Sequence, residues 1–247
     1  MKIIGVIPAR YQSSRFPGKP LVPICGKPMI YRVYQQAKKV PEFDEVYIAT
    51  DDERIRSTCE EFGMPVIMTS DRHATGSDRV AEVASKVDGD LFVNVQGDEP
   101  VIAPEMIQQV ISIFTEDPTV LFGSLKKEIT DPDEIKAYST VKVVTDDKGD
   151  ALYFSRSVIP SNIKDGKLAR VFRHVGIYAY KKDFLLKFAS MEQTELELGE
   201  GIEPLRAMQK GYKIRLKETN YSSIGVDLPE HIAMVEQVMR EQGREDA

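Results

Sequence analysis

The sequence predicts an α/β protein in which a doubly wound, mostly parallel sheet carries an antiparallel β insertion. Three observations predict this fold. The first half of the chain alternates short, nearly continuous apolar stretches with amphipathic ones, as in parallel strands covered by helices on both faces. The second half places strand-like stretches in succession without helices between them. A chain of 247 residues is long enough for one large domain with an insertion.

The first half contains the predicted parallel strands, at residues 3–7, 46–50, 66–69, 91–96 and 121–125. Helices are predicted to start at Pro28, after Ser77 and at Pro104, because proline favours the first helical position and serine favours the N-cap. In such sheets, ligands bind beyond the carboxyl ends of the strands. Two loops lie at that edge, residues 10–19 and residues 97–100.

The insertion is predicted to span residues 126–181 within one domain of residues 1–247. Two of its strands, 141–145 and 151–155, flank a polar turn that contains Gly149, and a third contains the stretch RHVGIYAY. The chain is then predicted to return through helices near residues 183–189 and 203–209, a strand at residues 213–217 and a final helix.

Composition and charge indicate a soluble protein of the cytoplasm. The chain is 42% hydrophobic and 29% charged, and no apolar run approaches the roughly 20 residues that a membrane helix needs. Its first residues enter a strand-like pattern, so we expect no signal peptide and no membrane contact. The net charge of -6 argues against nucleic acid as a partner. Cys25 and Cys59 lack CxxC spacing, and Cys59 is predicted to be a packed thiol.

The loop of residues 10–19 carries three cations and no acid in this acidic chain: Arg10, Arg15 and Lys19. It matches neither the Walker loop, since Pro20 stands where a serine or threonine is needed, nor a dinucleotide fingerprint. One cation within about 4 Å of a phosphate oxygen contributes roughly 4 kcal/mol at an effective dielectric near 20. Three cations on one loop favour a triphosphate ligand. The alternative is that the arginines are solvated and pair with nearby acids.

Several motifs in order along nearly the whole chain resemble the 3-deoxy-manno-octulosonate cytidylyltransferase family. They are IPARYQSSRFPGKPL, ATDDERI, TGSDR, VNVQGDEP, ALYFSRSVIP, RHVGIYAY and GVDLPEHI. The resemblance implies a Rossmann-like sheet of the nucleotide-diphospho-sugar transferase type and a β insertion that contributes to sugar binding and builds a homodimer. It also implies CTP and an acidic eight-carbon sugar, Kdo, as substrates, with Mg²⁺ as the cofactor.

The resemblance implies roles for residues at the sheet edge. Catalytic roles fall to Lys19, Arg10 and Asp98, and nucleotide contacts to Arg10, Ser13, Arg15, Lys19, Ser77 and Arg79. Asp98 and Asp227 match the family's metal-binding aspartates, and hard cations prefer such carboxylates. From the residues alone, an N-cap of the last helix is the favoured interpretation of Asp227, with Pro229 in the first turn and a glutamate three residues on, and the resemblance reverses that preference. Asp98 is alternatively an acidic turn residue, with Glu99 as the competing ligand.

The residues assigned to the sugar are Gln96, Arg156, His174, Tyr178, Glu200 and Glu203. Arg156 is the predicted partner of the sugar carboxylate, since a guanidinium binds a carboxylate through two hydrogen bonds. His174 and Tyr178 are an even number of residues apart and share one face of a strand. A satisfied core histidine is the alternative for His174. The three histidines lack metal-ligand spacing, so no zinc site is expected.

The acidic stretch ELELGEGIEPLR departs from the family pattern, which tends to read P-L-E-x-x-E-x-L-E-Q-L-R. Leu198 and Gly199 fill its variable pair, and Pro204 stands where glutamine is usual. One interpretation is a solvated acidic helix edge. The other is that the carboxylates attract an ammonium, so that the acceptor is 8-amino-Kdo. Two further hypotheses are a non-catalytic module that binds CTP and a CMP-sialic acid synthetase.

Overall fold

The computed structural model describes residues 1–13, 16–161 and 169–244. Arg15, one of the predicted nucleotide ligands, lies outside the described residues. The chain forms two compact units, Met1–Gln108 with Ser222–Ala247 and Gln109–Tyr221. Across the described residues, no helix combines the length and apolar character needed to cross a bilayer.

The helices and strands follow one another in an α/β order. The first unit begins with β1 (Ile3–Ala9), β2 (Pro23–Ile24), β3 (Lys27–Pro28), α1 (Met29–Ala37), β4 (Glu45–Thr50), α2 (Glu53–Glu61), β5 (Val66–Met68), α3 (Gly76–Lys86) and β6 (Leu91–Asn94). Helix α4 (Pro104–Glu116) contains the boundary. The second unit holds β7 (Phe122–Ile129), α5 (Pro132–Lys136), β8 (Lys142–Thr145), β9 (Ala151–Ser155), β10 (Val171–Lys181), α6 (Lys182–Ala189), α7 (Glu195–Glu200), α8 (Pro204–Gln209) and β11 (Arg215–Glu218). Helix α9 (His231–Glu241) belongs to the first unit.

The first unit contains a parallel sheet with the strand order β6-β1-β4-β5. Ile3 lies opposite Leu91 and Ile4 opposite Glu45, so the strands start in line and their carboxyl ends share one edge. All four residues of β6 and most of β1 are buried, which agrees with an apolar strand covered on both faces. The predicted α/β fold with a parallel sheet is therefore confirmed.

The second unit is mainly antiparallel. Strand β7 pairs antiparallel with β10, which pairs with β8, which pairs with β9, and only β11 runs parallel to β7. The Phe122 ring lies within 6 Å of the rings of Tyr180, Phe184 and Phe188, and these four form an aromatic core. The turn between β8 and β9 contains Gly149 in the left-handed region, at φ 84°. The antiparallel strands are confirmed, and the boundaries 126–181 stay a prediction.

Local differences from the predicted elements have local causes. Pro28 is the N-cap of α1 and is not its first residue. Helix α3 starts before Ser77, because Thr75 and Asp78 exchange hydrogen bonds as a capping box, with Asp78 N donating to Thr75 Oγ1 at 3.2 Å. Helix α5 and the β2–β3 hairpin were not predicted, since they are too short for a periodic pattern. Cys59 is fully buried, as predicted, and burial raises its pKa to about 12.

Candidate active site

One lysine and two aspartates form a charged cluster in the first unit. The Nζ atom of Lys19 donates to Asp98 Oδ2 at 2.7 Å and lies 3.6 Å from Asp227 Oδ1. The side chain of Lys19 is 15% exposed, and those of Asp98 and Asp227 are 34% and 46% exposed. The structure therefore brings together three residues that the sequence singled out, from three distant parts of the chain, and leaves both carboxylates partly exposed.

The position of Lys19 depends on how the loop of residues 10–19 closes. Gly18 adopts φ 72°, and its N–H donates to the carbonyl of Tyr11 at 2.9 Å. A Cβ at Gly18 would lie 3.1 Å from the Tyr11 ring, and the guanidinium of Arg54 covers that ring at 3.3 Å. A cation over an aromatic face contributes about 0.5–1 kcal/mol where it is exposed. Tyr11 and Arg54 thus hold the end of the loop from which Lys19 extends, and the sequence interpretation missed both.

Asp98 is placed by the loop that follows β6. A Cβ at Gly97 would lie 2.5 Å from the carbonyl oxygen of Pro8, at the end of β1, so only glycine fits there. The carbonyl of Asp98 accepts the N–H of Val226 at 2.8 Å, which ties this loop to the segment that carries Asp227.

Asp227 is held by its backbone neighbours. Val226 is fully buried, and the N–H of Asp227 donates to Nδ1 of His231 at 3.1 Å. Helix α9 starts at His231 with Glu230 at its N-cap position and no side-chain cap. The interpretation of Asp227 as the N-cap is therefore wrong, because the helix begins four residues later.

Arg79 and Arg10 lie near each other in the first unit, but they differ in their surroundings. The buried Arg79 pairs with Asp51 at 3.2 Å and donates to Thr69 Oγ1. Burial lowers the pKa of Arg79, and Arg10 lowers it further by repulsion. A cation in the first turn of a helix is unfavourable beside the positive end of the helix dipole, and Asp51 offsets this for Arg79. Arg10 is exposed beyond the end of β1.

The remaining predicted nucleotide and sugar residues of the first unit lie in the loops around these side chains. Ser13 Oγ accepts the N–H of Phe16 at 3.4 Å. Ser77 is buried in the first turn of α3. Gln96 follows β6 and donates to Asn94 Oδ1 at 3.5 Å. None of the contacts described for these three residues identifies a ligand, so the roles of Ser13, Ser77 and Gln96 stay predictions.

In the second unit, Arg156 is engaged by backbone oxygens. Its Nε donates to the Glu200 carbonyl at 2.8 Å, its Nη1 to Tyr138 at 3.1 Å and its Nη2 to Gly201 at 3.4 Å. The Glu200 carboxylate accepts hydrogen bonds from Ser155 Oγ at 2.7 Å and from the N–H of Arg156 at 2.9 Å. Arg156 and Glu200 are thus joined by hydrogen bonds, and their contacts with a sugar stay predictions.

His174 and Tyr178 lie together, as the shared strand face predicts, with ring centroids 5.4 Å apart. The His174 Nε2 atom is 3.0 Å from Ser124 Oγ, and Phe154 packs edge-on at 5.0 Å. Desolvation by the surrounding side chains lowers the pKa of His174 to about 4. The ring is therefore neutral near pH 7 and can accept or donate one hydrogen bond without charge.

The acidic stretch is only partly a solvated edge. The Glu197 carboxylate is buried and receives hydrogen bonds from Arg206 Nε at 2.8 Å and Nη2 at 2.6 Å. The Arg206 guanidinium also covers the Phe188 ring at 4.9 Å. The interpretation as a solvated edge is therefore wrong for Glu197, whose charge is neutralised inside the unit. Glu203 lies directly before α8, and its contact with a sugar stays a prediction.

The carboxylate oxygens of Asp98 and Asp227 suit a hard cation that also binds substrate. Among the residues that the structure describes, no three or more His, Cys, Asp or Glu residues are grouped as a metal cage. Asp98 and Asp227 instead offer two partly exposed carboxylates beside one ammonium. Mg²⁺ is commonly held by one or two carboxylates, with phosphate oxygens and water as its other ligands. These two residues therefore fit a magnesium ion that arrives with a nucleotide.

Comparisons with known proteins agree on one family. Residues 4–216 match the cytidylyltransferase family. The chain is 48% identical to the 3-deoxy-manno-octulosonate cytidylyltransferase of Geobacter metallireducens, over 95% of this chain and 96% of the relative. It is 46% identical to that of Solibacter usitatus, over 97% and 95%.

Solved structures show the same likeness. A CMP:2-keto-3-deoxy-manno-octonic acid synthetase complexed with CTP is similar with a TM-score of 0.94 and 42% identity, over 98% of this chain and 100% of that one. A 4-diphosphocytidyl-2C-methyl-D-erythritol synthase from Anaerococcus prevotii has a TM-score of 0.64 at 16% identity, over 97% and 99%. The second likeness shows the shared fold alone.

Proposed function

The chain belongs to the cytidylyltransferase family, with 3-deoxy-manno-octulosonate cytidylyltransferases among its relatives, and from this premise we propose that it transfers CMP from CTP to Kdo. The observation that carries the proposal is the cluster of Lys19, Asp98 and Asp227. A non-catalytic CTP-binding module needs no carboxylate pair beside the ammonium that binds phosphate. The cluster therefore favours catalysis over mere binding.

The reaction balances without a protein nucleophile. The anomeric hydroxyl oxygen of the sugar bonds to the α-phosphorus of CTP, and the bond from that phosphorus to the bridging oxygen breaks. Pyrophosphate leaves with the electron pair, and the hydroxyl proton passes to solvent. Such a transfer needs alignment and charge neutralisation more than covalent help.

The residues of the first unit divide this work. Lys19 and Arg10 place positive charge against the triphosphate, and each such contact contributes roughly 4 kcal/mol at an effective dielectric near 20. Lys19 is restrained by Asp98, so its ammonium is oriented before the nucleotide binds. Arg79 pairs with Asp51, and we infer that it shapes the nucleotide pocket without contacting phosphate.

We propose Mg²⁺ as the cofactor, held by Asp98 and Asp227. When bound, the ion would neutralise charge on the phosphate oxygens and make the sugar hydroxyl a better nucleophile. Changing Asp227 to asparagine should raise the Mg²⁺ concentration for half-maximal rate about tenfold, since an amide is a poorer ligand for a hard cation. Asp147→Asn, on the exposed turn between β8 and β9, is the matched control. A lower melting temperature with an unmoved magnesium titration would refute the metal role.

The identity of the sugar that accepts CMP is a separate question from the reaction type. We propose Kdo because the relatives are named 3-deoxy-manno-octulosonate cytidylyltransferases. The acidic stretch raises 8-amino-Kdo as the alternative acceptor. Glu197 and Glu200 already have partners within the protein, which leaves less free negative charge to attract an ammonium. Arg156, His174 and Tyr178 are proposed to line the sugar site.

One assay tests the function: magnesium-dependent pyrophosphate release from CTP with Kdo, 8-amino-Kdo or sialic acid as the acceptor. We expect release with Kdo and a higher kcat/KM for Kdo than for the other two sugars. A higher kcat/KM for 8-amino-Kdo would identify that acceptor. CTP binding without turnover on any sugar would refute catalysis. We further propose a homodimer that works in the cytoplasm for lipopolysaccharide biosynthesis, and sedimentation velocity tests the dimer.

A further inference from the structure

The segment of residues 225–227 is held from two sides. On one side, Val226 buries its side chain in a cluster that includes Ile24, Met29 and Val235, and its N–H donates to the Asp98 carbonyl at 2.8 Å. On the other side, the next N–H, that of Asp227, donates to His231 Nδ1 at 3.1 Å. The imidazole thus holds the backbone at the residue whose carboxylate faces Lys19.

The same ring also reaches the start of the segment. His231 Nδ1 lies 3.1 Å from the Gly225 carbonyl, and the His231 N–H donates to the Leu228 carbonyl at 3.0 Å. When the ring proton is on Nε2, Nδ1 accepts from Asp227, and when it is on Nδ1, it donates to Gly225. The ring therefore binds this short segment in either tautomer.

On either side of the buried Val226, side-chain packing is sparse. No atom lies within 4 Å of where a Cβ at Gly225 would be, and the Asp227 side chain is 46% exposed. The backbone hydrogen bonds of this segment therefore help, together with the buried Val226, to set where the carboxylate lies. Displacing a group in an active site by about 1 Å can cost about 100-fold in rate, so one such bond has catalytic consequences.

We propose that His231 is a positioning residue for Asp227, with its ring fixing the backbone so that the carboxylate faces Lys19. This inference rests on the proposed function, because it concerns the aspartate assigned to the metal and the triphosphate. His231 lies in the stretch GVDLPEHI but is not among the predicted ligands. The signal in the sequence was a histidine four residues after the aspartate.

The test compares three variants of the full chain. His231→Ala removes the acceptor, and His231→Asn keeps a side-chain oxygen that can accept the same N–H. Met234→Ala, at an exposed position of α9, is the matched control. The readouts are the hydrogen-exchange rate of the Asp227 amide in the free protein, Mn²⁺ affinity in the presence of CTP measured by electron paramagnetic resonance, and kcat with Kdo.

We expect His231→Ala to exchange the Asp227 amide about tenfold faster, to weaken Mn²⁺ binding about fivefold and to lower kcat about tenfold. His231→Asn should largely restore the parent's amide exchange rate, Mn²⁺ affinity and kcat. Met234→Ala should match the parent in all three measurements. Unchanged exchange in His231→Ala would overturn the proposal, and so would faster exchange with unchanged Mn²⁺ affinity. No Mn²⁺ binding by the parent would also overturn it. If the parent binds Mn²⁺ and CTP but transfers CMP to no sugar, the proposed function fails, and the exchange and Mn²⁺ readouts still decide the role of His231.

Discussion

Replacing Gly97 with alanine should damage the candidate active site through steric overlap alone. Gly97 is not among the glycines with positive φ, so its backbone does not need glycine for a left-handed conformation. The new Cβ, however, would lie 2.5 Å from the Pro8 carbonyl oxygen. That oxygen belongs to β1, whose residues are paired in register with β4, so it has little freedom to move.

The size of the destabilisation follows from the close approach of the new Cβ to the Pro8 carbonyl oxygen. A separation of 2.5 Å is shorter than real Cβ contacts allow, so the backbone at residue 97 must shift. Overpacking of this kind typically costs about 1–3 kcal/mol. At about 2 kcal/mol, a protein of this size loses roughly 4–8 °C in melting temperature.

The shift would also reach the charged cluster. Asp98 follows directly, and its Oδ2 lies 2.7 Å from Lys19 Nζ while its carbonyl accepts the Val226 N–H. A displacement of less than 1 Å breaks the geometry of both contacts. We therefore expect kcat to fall by about tenfold or more.

The assay is thermal unfolding together with pyrophosphate release, with Gly199→Ala as the control. Gly199 lies inside α7, and no atom is within 4 Å of its Cβ position. Alanine there should stabilise the protein by about 0.5–1 kcal/mol, because it restricts the unfolded chain. If Gly97→Ala has the parent's kcat and melting temperature, the close approach to Pro8 does not constrain Asp98, and the reasoning is refuted.

Three further predictions concern single side chains. Lys19→Ala should lower kcat at least 100-fold with little change in melting temperature, measured by pyrophosphate release, and turnover within a few-fold of the parent would contradict its role. Glu197→Gln should cost about 3–5 kcal/mol in denaturant unfolding by leaving Arg206 buried without its carboxylate, whereas the exposed Glu195→Gln should cost under about 0.5 kcal/mol. The pKa of His174 falls from 6.5 to about 4 on folding, so the unfolded state binds more protons between these values and stability is lost as pH falls through that window. His174→Phe should flatten the pH dependence of unfolding free energy between pH 6.5 and 4, and an unchanged slope would contradict the assignment.

The order of strands and helices was predictable because its signals are local. Apolar runs such as 3–7 and 91–96 mark buried strands wherever they occur, and Pro104 marks a helix start within a few residues. The rule that ligands bind at the carboxyl ends of parallel strands also pointed to Lys19 and Asp98 before any contact was known. Short elements such as α5 and the β2–β3 hairpin have too few residues to show a period.

The sequence by itself determined the residue types of the candidate site and the α/β order that brings them to one edge. Only the tertiary structure decided their partners. It showed that Asp227 faces Lys19 and is not a helix cap. It also showed that Asp51 forms an ion pair with Arg79 and that His231 accepts a hydrogen bond from the Asp227 backbone. The physical reason is distance along the chain. Capping and periodicity act over a few residues and can be read from them, whereas ion pairs between segments depend on which loops the sheet places side by side.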